Sequence, residues 1–454
     1  MIFNDENFPP LPASWTTVRV DEACTLVTIR EKIKTKNYLN RGSLAVVDQG
    51  SALVGGYAND ASKVVETTLP VVVFGDHTRA LKFVDFPFAA GADGIKVLRP
   101  SASLHPRLVF RFLEAIKLPD RGYGRHFQHF RGSRIPVPPL DEQGRIADKL
   151  DAVLARVDAC RDRLDRVPGV LKRFRQAVLE AATSGVLTNE WRSERDRDFC
   201  WTRGTLSSLL DGKPRNGYSP RAVEYPTPVK SLTLTATTSG HFRGEFFKYI
   251  DEAIPPNSHL WLCPGDILVQ RANTLQYVGV SAIYDGPVGV FIYPDLMMKA
   301  RANPHVLPKF LLRLLSSAAV RRHFRDNATG TAGNMPKINQ ETVTSAIVSW
   351  PEIDEQAEIV RRVESLFTWA DRLEARHAAA RAQVERLTPS LLAKAFRGEL
   401  VPQDPADEPA SELLMRLTQQ PSANPNAPVK RQGPKPHHAK ASQAASNVRE
   451  ESSS

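Results

Sequence analysis

The sequence predicts a mixed α+β molecule in which two α/β domains alternate with two long helices that pair with each other. Three observations predict it. A stretch beginning Pro138-Pro139-Leu140-Asp141-Glu142-Gln143 returns without a gap as Pro351-Glu352-Ile353-Asp354-Glu355-Gln356, 213 positions later. Apolar residues inside both copies recur at an average of 3.5 positions. The longer segment ahead of each copy carries instead the strand, turn and helix signals of a globular α/β fold.

In chain order, residues 1–134 read as the first domain and 135–190 as the first helix region. Residues 191–350 read as the second domain, 351–401 as the second helix region, and 402–454 as a tail expected to be mostly disordered. Each domain opens on a tryptophan ahead of a strand signal, Trp15-Thr16-Thr17-Val18 and Trp201-Thr202-Arg203-Gly204. Each has a central strand signal containing Gly-Asp, Val71-Val72-Val73-Phe74-Gly75-Asp76 and Gly265-Asp266-Ile267-Leu268-Val269. A helical stretch follows, near Pro106 to Ile116 and near Pro308 to Phe324. The two domains therefore read as diverged copies of one design.

The repeated helices have a countable seam. Steps of four and three pass through Ile146, Leu150, Val153, Val157, Cys160, Leu164, Val167, Leu171, Phe174, Val178 and Ala181. In the second copy they pass through Ile359, Val363, Leu366, Ala370, Leu373, His377, Ala380, Val384, Leu387, Leu391 and Lys394. A sustained 3.5-residue repeat marks a left-handed coiled coil, and the nearest partner for each seam is the other copy. Asp141 and Asp354 are expected as N-caps, and Gly185 and Gly398 as left-handed residues closing the helices. Between those ends a helix would run about 65 Å, at 1.5 Å per residue, roughly the length of 19 base pairs. Pro168 and Pro389 are expected to kink or restart it.

Charge is divided unevenly. Residues 1–134 hold 18 Lys+Arg against 13 Asp+Glu, and residues 200–350 hold 16 against 10, whereas both helix regions and the tail are close to neutral. The net charge of +10 thus lies in the two domains, the distribution expected when two nucleic-acid-contacting domains sit on a neutral scaffold. The four cysteines, Cys24, Cys160, Cys200 and Cys263, lack metal-ligand or redox spacing and are expected to be free and buried. With no run of eighteen apolar residues and no signal-peptide start, a cytoplasmic location away from membranes is expected.

No catalytic motif emerges. There is no Asn/Asp-Pro-Pro-Tyr/Phe tetrapeptide, no phosphate-binding Gly-rich loop ahead of a Lys-Ser/Thr pair, and no convergent metal set. His126 and His129, flanked by Arg125 and Arg131, read as a surface or DNA-facing pair. If the two basic domains meet duplex DNA, the expected chemistry is groove reading, in which Arg forks onto guanine and Asn or Gln onto adenine. Residues expected on loops after the central strands are His77, Thr78, Arg79 and Lys82 in the first domain, and Gln270, Arg271, Asn273 and Thr274 in the second. Arg30, Lys32, Lys34 and Lys36 alternate, which on a strand would set all four on one face toward phosphates. In the tail, Ala410 to Leu417 is amphipathic, and Lys430-Arg431 and Lys435 are basic spots in a Pro/Ser/Ala-rich run.

The order of domains, Asp-Glu-Gln helices and closing Gly-Val-Leu and Gly-Glu-Leu segments resembles the specificity subunits of type I restriction–modification systems. Shorter stretches agree: Val46-Val47-Asp48-Gln49-Gly50, Phe74-Gly75-Asp76-His77-Thr78-Arg79, Ala92-Asp93-Gly94, and Gly330-Thr331-Ala332-Gly333 with Ile338-Asn339-Gln340. The resemblance covers roughly residues 12–401. It implies two target recognition domains alternating with helices that pair as an antiparallel coiled coil. Each domain would read one half of an asymmetric bipartite site in double-stranded DNA, and the helix pair would set the spacer. The chain itself would be noncatalytic and hold no cofactor. Two methyltransferase subunits would bring S-adenosylmethionine-dependent adenine-N6 methylation, and restriction subunits ATP- and magnesium-dependent translocation and cleavage, in defence against phage. The sequence keeps open a second reading, a stand-alone DNA-binding regulator with two reading heads. An unrecognised nuclease is a third.

Overall fold

The computed structural model describes residues 8–91, 94–118, 124–330 and 335–419. They fall into two compact units, one built from Met1–Asp151 with Leu391–Ser454 and the other from Ala152–Ser390. Ala92, Asp93, Thr331, Ala332, Gly333 and the basic spots at 430–435 lie outside the described residues.

The first domain holds two sheets. One runs in the order Cys24–Val27, Ile95–Pro100, Val71–Gly75, Leu81–Val84, antiparallel throughout. The other runs Gly56–Ala58, Leu44–Val47, Phe88–Ala90, the last two parallel. Val47, Val71, Val73, Phe88, Ala90 and Val97 form the core between them. The alternation in Val71-Val72-Val73 is what permits this, since Val72 points to the opposite face of the sheet. The helix Pro106–Ala115 opens on proline, which needs no hydrogen bond there, and buries Leu108, Val109 and Phe112.

The second domain repeats this design. Arg215–Asn216, Met297–Ala300, Ile267–Gln270 and Ser281–Ile283 form one antiparallel sheet. Ala222–Val223, Phe247–Ile250, Val229–Leu232 and Phe291–Ile292 form the other, whose last two strands are again parallel. The helical stretch after Pro308 divides into Pro308–Ser316 and Ala318–Asp326, because the Ser317 side chain accepts from Val320 N and caps a new start. In each domain the entering strand pairs antiparallel with the strand that leaves for the long helix: Thr16–Arg19 with Arg134–Val137, and Thr202–Thr205 with Ile347–Trp350.

The long helices are Leu140–Thr183 and Ile353–Phe396, 44 residues each. Both start two residues earlier than caps at Asp141 and Asp354 would give, so those aspartates sit in the first turn rather than at the caps. They still face the positive end of the helix dipole. Neither helix restarts at its proline, Pro168 or Pro389. Within the second unit the helices run antiparallel: Asp165 pairs with Arg381, while nine residues on Phe174 meets Trp369 edge-on at 5.5 Å. Arg175 joins Asp371 and Glu374, and the His377 ring shares a 2.9 Å hydrogen bond with Leu164 O.

The seam differs from the count at three positions, Cys160, Leu387 and Lys394, all exposed. Ile146, Leu150, Val157, Leu171, Val178, Ile359 and Val363 are buried, and Val153, Leu164, Phe174, Leu366, Leu373, Val384 and Leu391 half-buried. Leu387 is 40% exposed, and the buried stripe passes instead through half-buried Thr388 to Leu392 and Ala395. A straight helix drifts about 20° per heptad from a 3.5 repeat, so four heptads beyond Ile359 the stripe has moved by nearly one 100° residue step. Cys160 is likewise exposed, as is Cys200; Cys24 alone of the four cysteines is buried, and Cys263 is intermediate.

The tail contributes a helix to the described residues. The helix Ala410–Gln419 docks on the first unit through Ala410 N, which donates to Ser14 O at 2.9 Å, with Ala410 and Leu413 buried. Asp407 pairs with Arg145 beside it. Among the described residues no helix is long and apolar enough to cross a membrane.

Candidate nucleic-acid interface

The repeated Asp-Glu-Gln bolts each domain to the start of a long helix. In the first unit the Trp15 indole N–H donates to Glu142 at 2.8 Å. Gln143 accepts from His105 N at 2.7 Å and donates to Pro138 O at 3.0 Å. In the second, Trp201 donates to Glu355 at 3.2 Å, while Gln356 accepts from Leu307 N at 3.0 Å and donates to Pro351 O at 2.9 Å. The sequence flagged this triplet as a repeat, but its partners lie too far along the chain to be read from it.

The two glutamates differ in what meets their other bonds. Glu142 takes the neutral Gln403 amide, and burial raises its carboxyl pKa above the usual range, against the pull of Trp15 and Gln403. Glu355 takes the guanidinium of Arg192 and the hydroxyl of Thr188, at 2.6 Å. A folded-state pKa above the unfolded one means that stability is lost as pH rises from the ordinary carboxyl pKa through the raised value. Glu142→Gln is therefore expected to stay within about 1 kcal/mol of wild type at neutral pH. It should also remove the first unit's share of that loss, readable in urea midpoints from about pH 4 to pH 8.

Each domain then offers a loop at the end of its central strand. In the first, the turn after Gly75 is closed by Arg79 N to Gly75 O and Gly75 N to Ala80 O, both 2.8 Å. Thr78 Oγ1 donates to Gln49 O at 2.6 Å. Asp76, 5% exposed, takes Phe127 N at 2.8 Å and donates its own N–H to Gly94 O at 2.7 Å. A Cβ at Gly94, where φ is +91°, would stand 2.8 Å from His77 and 2.9 Å from the Gln49 amide oxygen. The segments 46–50 and 74–79 and Gly94 thus converge on one spot. Arg79 itself adopts φ 60°, a conformation costing about 1–2 kcal/mol for a side chain, and the closed turn holds it there.

Lys82 does not belong to this loop. It lies on Leu81–Val84, is 5% exposed and pairs with Asp48 at 3.4 Å. Burial lowers its pKa, with Asp48 opposing. His126 is also corrected: it is wholly buried, whereas His129 is exposed. Arg30, Lys32, Lys34 and Lys36 are exposed but do not form a strand, since Ile33 makes a lone bridge to Gly91 and Thr35–Asn37 is a short 3-10 turn. Arg30 pairs with Glu66 at 3.1 Å. Lys32, Lys34 and Lys36 instead line a concavity of about 500 Å³ shared with Lys63 and Asp60.

In the second domain Gln270 is fully buried, which removes it from base contact. Its amide donates to Leu234 O at 2.9 Å, Thr237 Oγ1 at 3.0 Å and Thr238 Oγ1 at 3.1 Å, and its oxygen accepts from Asn273 at 2.7 Å. Gln270 therefore ties the loop after Ile267–Gln270 to the loop after Val229–Leu232, as Thr78 ties the corresponding loops in the first domain. Arg271 and Asn273 are half-exposed and Thr274 exposed. Arg271 contacts Asp295 O at 3.4 Å, so its fork is only lightly held.

Comparison with known proteins gives this geometry its family. No family model matches the chain. It is 37% identical over 277 residues to the EcoKI specificity subunit of Escherichia coli K12, an alignment spanning 61% of this chain and 59% of that relative. It is 31% identical to the Escherichia coli EcoDI specificity subunit over 319 residues, 64% of this chain and 69% of that relative. The chain belongs to the type I restriction enzyme specificity subunits. The StySPI specificity subunit of Salmonella potsdam aligns at 28% identity over 88% of this chain and 92% of its own length. The HsdS subunit from Thermoanaerobacter tengcongensis shares the fold, with a TM-score of 0.52 at 19% identity, covering 87% of this chain and 99% of that one. A solved chain from a study of complex assembly and conformational transition of the type I R-M system superposes with a TM-score of 0.63 at 18% identity, over 86% of this chain and all of that one. Among specificity subunits, this one therefore has two domains of one topology, each fixed to a long helix by the same tryptophan, glutamate and glutamine.

Proposed function

We propose that this chain is the noncatalytic DNA-reading subunit of a type I restriction–modification complex, each domain reading one half of a bipartite asymmetric site. The observation that carries the reading is the duplication of domain topology together with the Trp-Glu-Gln junction, which gives two reading loops in equivalent places on one chain. The paired helices set the spacer and receive the partners, two methyltransferase subunits and the restriction subunits. Trp369 and Val170, 52% and 51% exposed, are apolar contacts left on those helices for them. S-adenosylmethionine, ATP and magnesium belong to the partners, whose reaction is adenine-N6 methylation and cleavage.

His77, Thr78 and Arg79 in the first domain, and Arg271, Asn273 and Thr274 in the second, are the base-reading set; Lys32, Lys34 and Lys36 contact phosphates. Arg79→Ala and Arg271→Ala are each expected to cost about 1–3 kcal/mol of discrimination at one base pair, in their own half-site only. Competition binding of the reconstituted methyltransferase complex to single-base variants of its site reads this out. Unchanged preference at every position would remove both residues from the set. Magnesium-dependent, sequence-specific cutting by the chain alone would overturn the noncatalytic reading.

A further inference from the structure

The two domains place an arginine at the same point. Arg99 and Arg301 each stand seven residues ahead of the proline that opens a helix, Pro106 and Pro308. Two residues on, Ser101 N donates to Ala23 O at 2.9 Å and Asn303 N to Leu209 O at 3.0 Å. Beside each arginine lies a cleft, about 610 Å³ in the first domain and about 790 Å³ in the second.

The clefts differ in their charge. In the first, ion pairs Arg30–Glu66 and Lys63–Glu31 join the facing segments. In the second, the cations are gathered at the base. One position beyond the register pairs Val72–Leu98 and Ile267–Ala300, Val71 stands where the second domain has Asp266, and Val97 where it has Lys299. Val71 and Val97 are fully buried; Asp266 is 1% exposed. It accepts from Arg301 at 2.7 and 2.9 Å and from Cys263 N at 3.0 Å, and lies 3.4 Å from the Lys299 ammonium.

Burying the Asp266 carboxylate and most of Lys299 costs solvation, and the first domain shows that the fold is satisfied with valines. One carboxylate against two cations leaves a net positive charge on the cleft floor. Exposed Lys213 and Arg215 add to it from the wall, Asp211 subtracts, and His259 and the Trp261 ring line the cleft with them. Asp266 takes one edge of the Arg301 guanidinium and Trp261 O accepts from Lys299 at 2.8 Å, so the opposite guanidinium edge and the remaining ammonium protons are what could meet the oxygens of a phosphate.

We infer that this cleft is a phosphate site, filled by a backbone phosphate of duplex DNA or by the phosphate of a free nucleotide. It is separate from the reading loop, since Ile267–Gln270 puts Asp266 and Arg271 at opposite ends of a strand about 13 Å long. The duplex source rests on the proposed function; the nucleotide source does not.

The test compares wild type, the exposed double variant Lys213→Ala/Arg215→Ala, and a charge-matched control, Arg221→Ala/Lys248→Ala, in the methyltransferase complex. Duplex affinity is followed against salt by fluorescence anisotropy, and ADP and inorganic phosphate are titrated calorimetrically without DNA. For the duplex source, the cleft variant binds cognate and unrelated duplexes about tenfold more weakly, and its salt slope falls by about 0.9 for each lost contact, while the control stays near wild type. For the nucleotide source, wild type binds ADP saturably, the cleft variant does not, and duplex affinity is unchanged. The inference is overturned if the cleft and control variants weaken duplex binding equally, or not at all, and ADP and phosphate bind neither protein. Wild type that binds no specific duplex would count against the proposed function instead, and the ADP titration alone would then decide.

Discussion

Glu355→Gln is expected to destabilise the second unit by about 3–5 kcal/mol, the cost of breaking a buried ion pair by removing one partner. Arg192 and Glu355 are 6% and 8% exposed at their side chains, and the guanidinium would be left facing a neutral amide. Its remaining partners, Gly185 O at 2.7 Å, Thr188 Oγ1 at 2.9 Å and the Asn189 side chain, carry no formal charge. Among the described residues the hydrogen-bond partners of the pseudo-equivalent Glu142 are the neutral side chains of Trp15 and Gln403, so Glu142→Gln should be close to neutral. Urea unfolding of both variants tests the contrast. Equal losses would mean that the two junctions bear load in the same way despite their different partners.

The second large effect is expected at Gly398. Its φ of +72° already disfavours a side chain, and a Cβ there would stand 2.5 Å from the Pro12 ring and 3.1 Å from the Trp15 indole. Trp15 is 7% exposed and fixed by Glu142, so it cannot give way cheaply. Left-handed strain of about 1–2 kcal/mol and overpacking of about 1–3 kcal/mol together give a loss of roughly 2–5 kcal/mol for Gly398→Ala. At Gly185, φ +82°, the nearest obstacle is Phe199 at 2.4 Å, a ring 59% exposed that can swing into water. Gly185→Ala is therefore expected to lose little beyond the strain. Thermal unfolding of the two variants orders them, and a larger loss at Gly185 would contradict the packing argument.

Much of this fold could be read from the chain because its signals are local or repeated. The strand ahead of Gly75-Asp76, the proline starts of the Pro106 and Pro308 helices and the closing glycines each declare themselves within a few residues. Side-chain fate was harder to read where the deciding partner is distant. Lys82 looked like a loop cation until Asp48, 34 residues away, is seen beside it; Gln270 looked like an adenine reader until the Thr237 and Thr238 hydroxyls take its amide. The Arg30 to Lys36 alternation misled because period two is evidence for a strand only where neighbours pair along it, and here Ile33 alone bridges. The seam failed at Leu387 through accumulated drift. The arginines at 99 and 301 were within reach of sequence: each precedes its helix proline by seven residues, a spacing that becomes visible once the two domains are aligned on those prolines.

The central claim is that each domain reads its own half of one DNA site. Single-molecule mapping of adenine methylation, in cells holding this chain with its methyltransferase subunit and again with residues 1–134 exchanged for a relative's, tests it most directly. The account predicts a bipartite methylated motif in which one half changes on exchange while the other half and the spacer stay. Methylation that is indifferent to the exchange, or absent while the chain still binds DNA alone, would contradict it and favour a stand-alone DNA-binding protein.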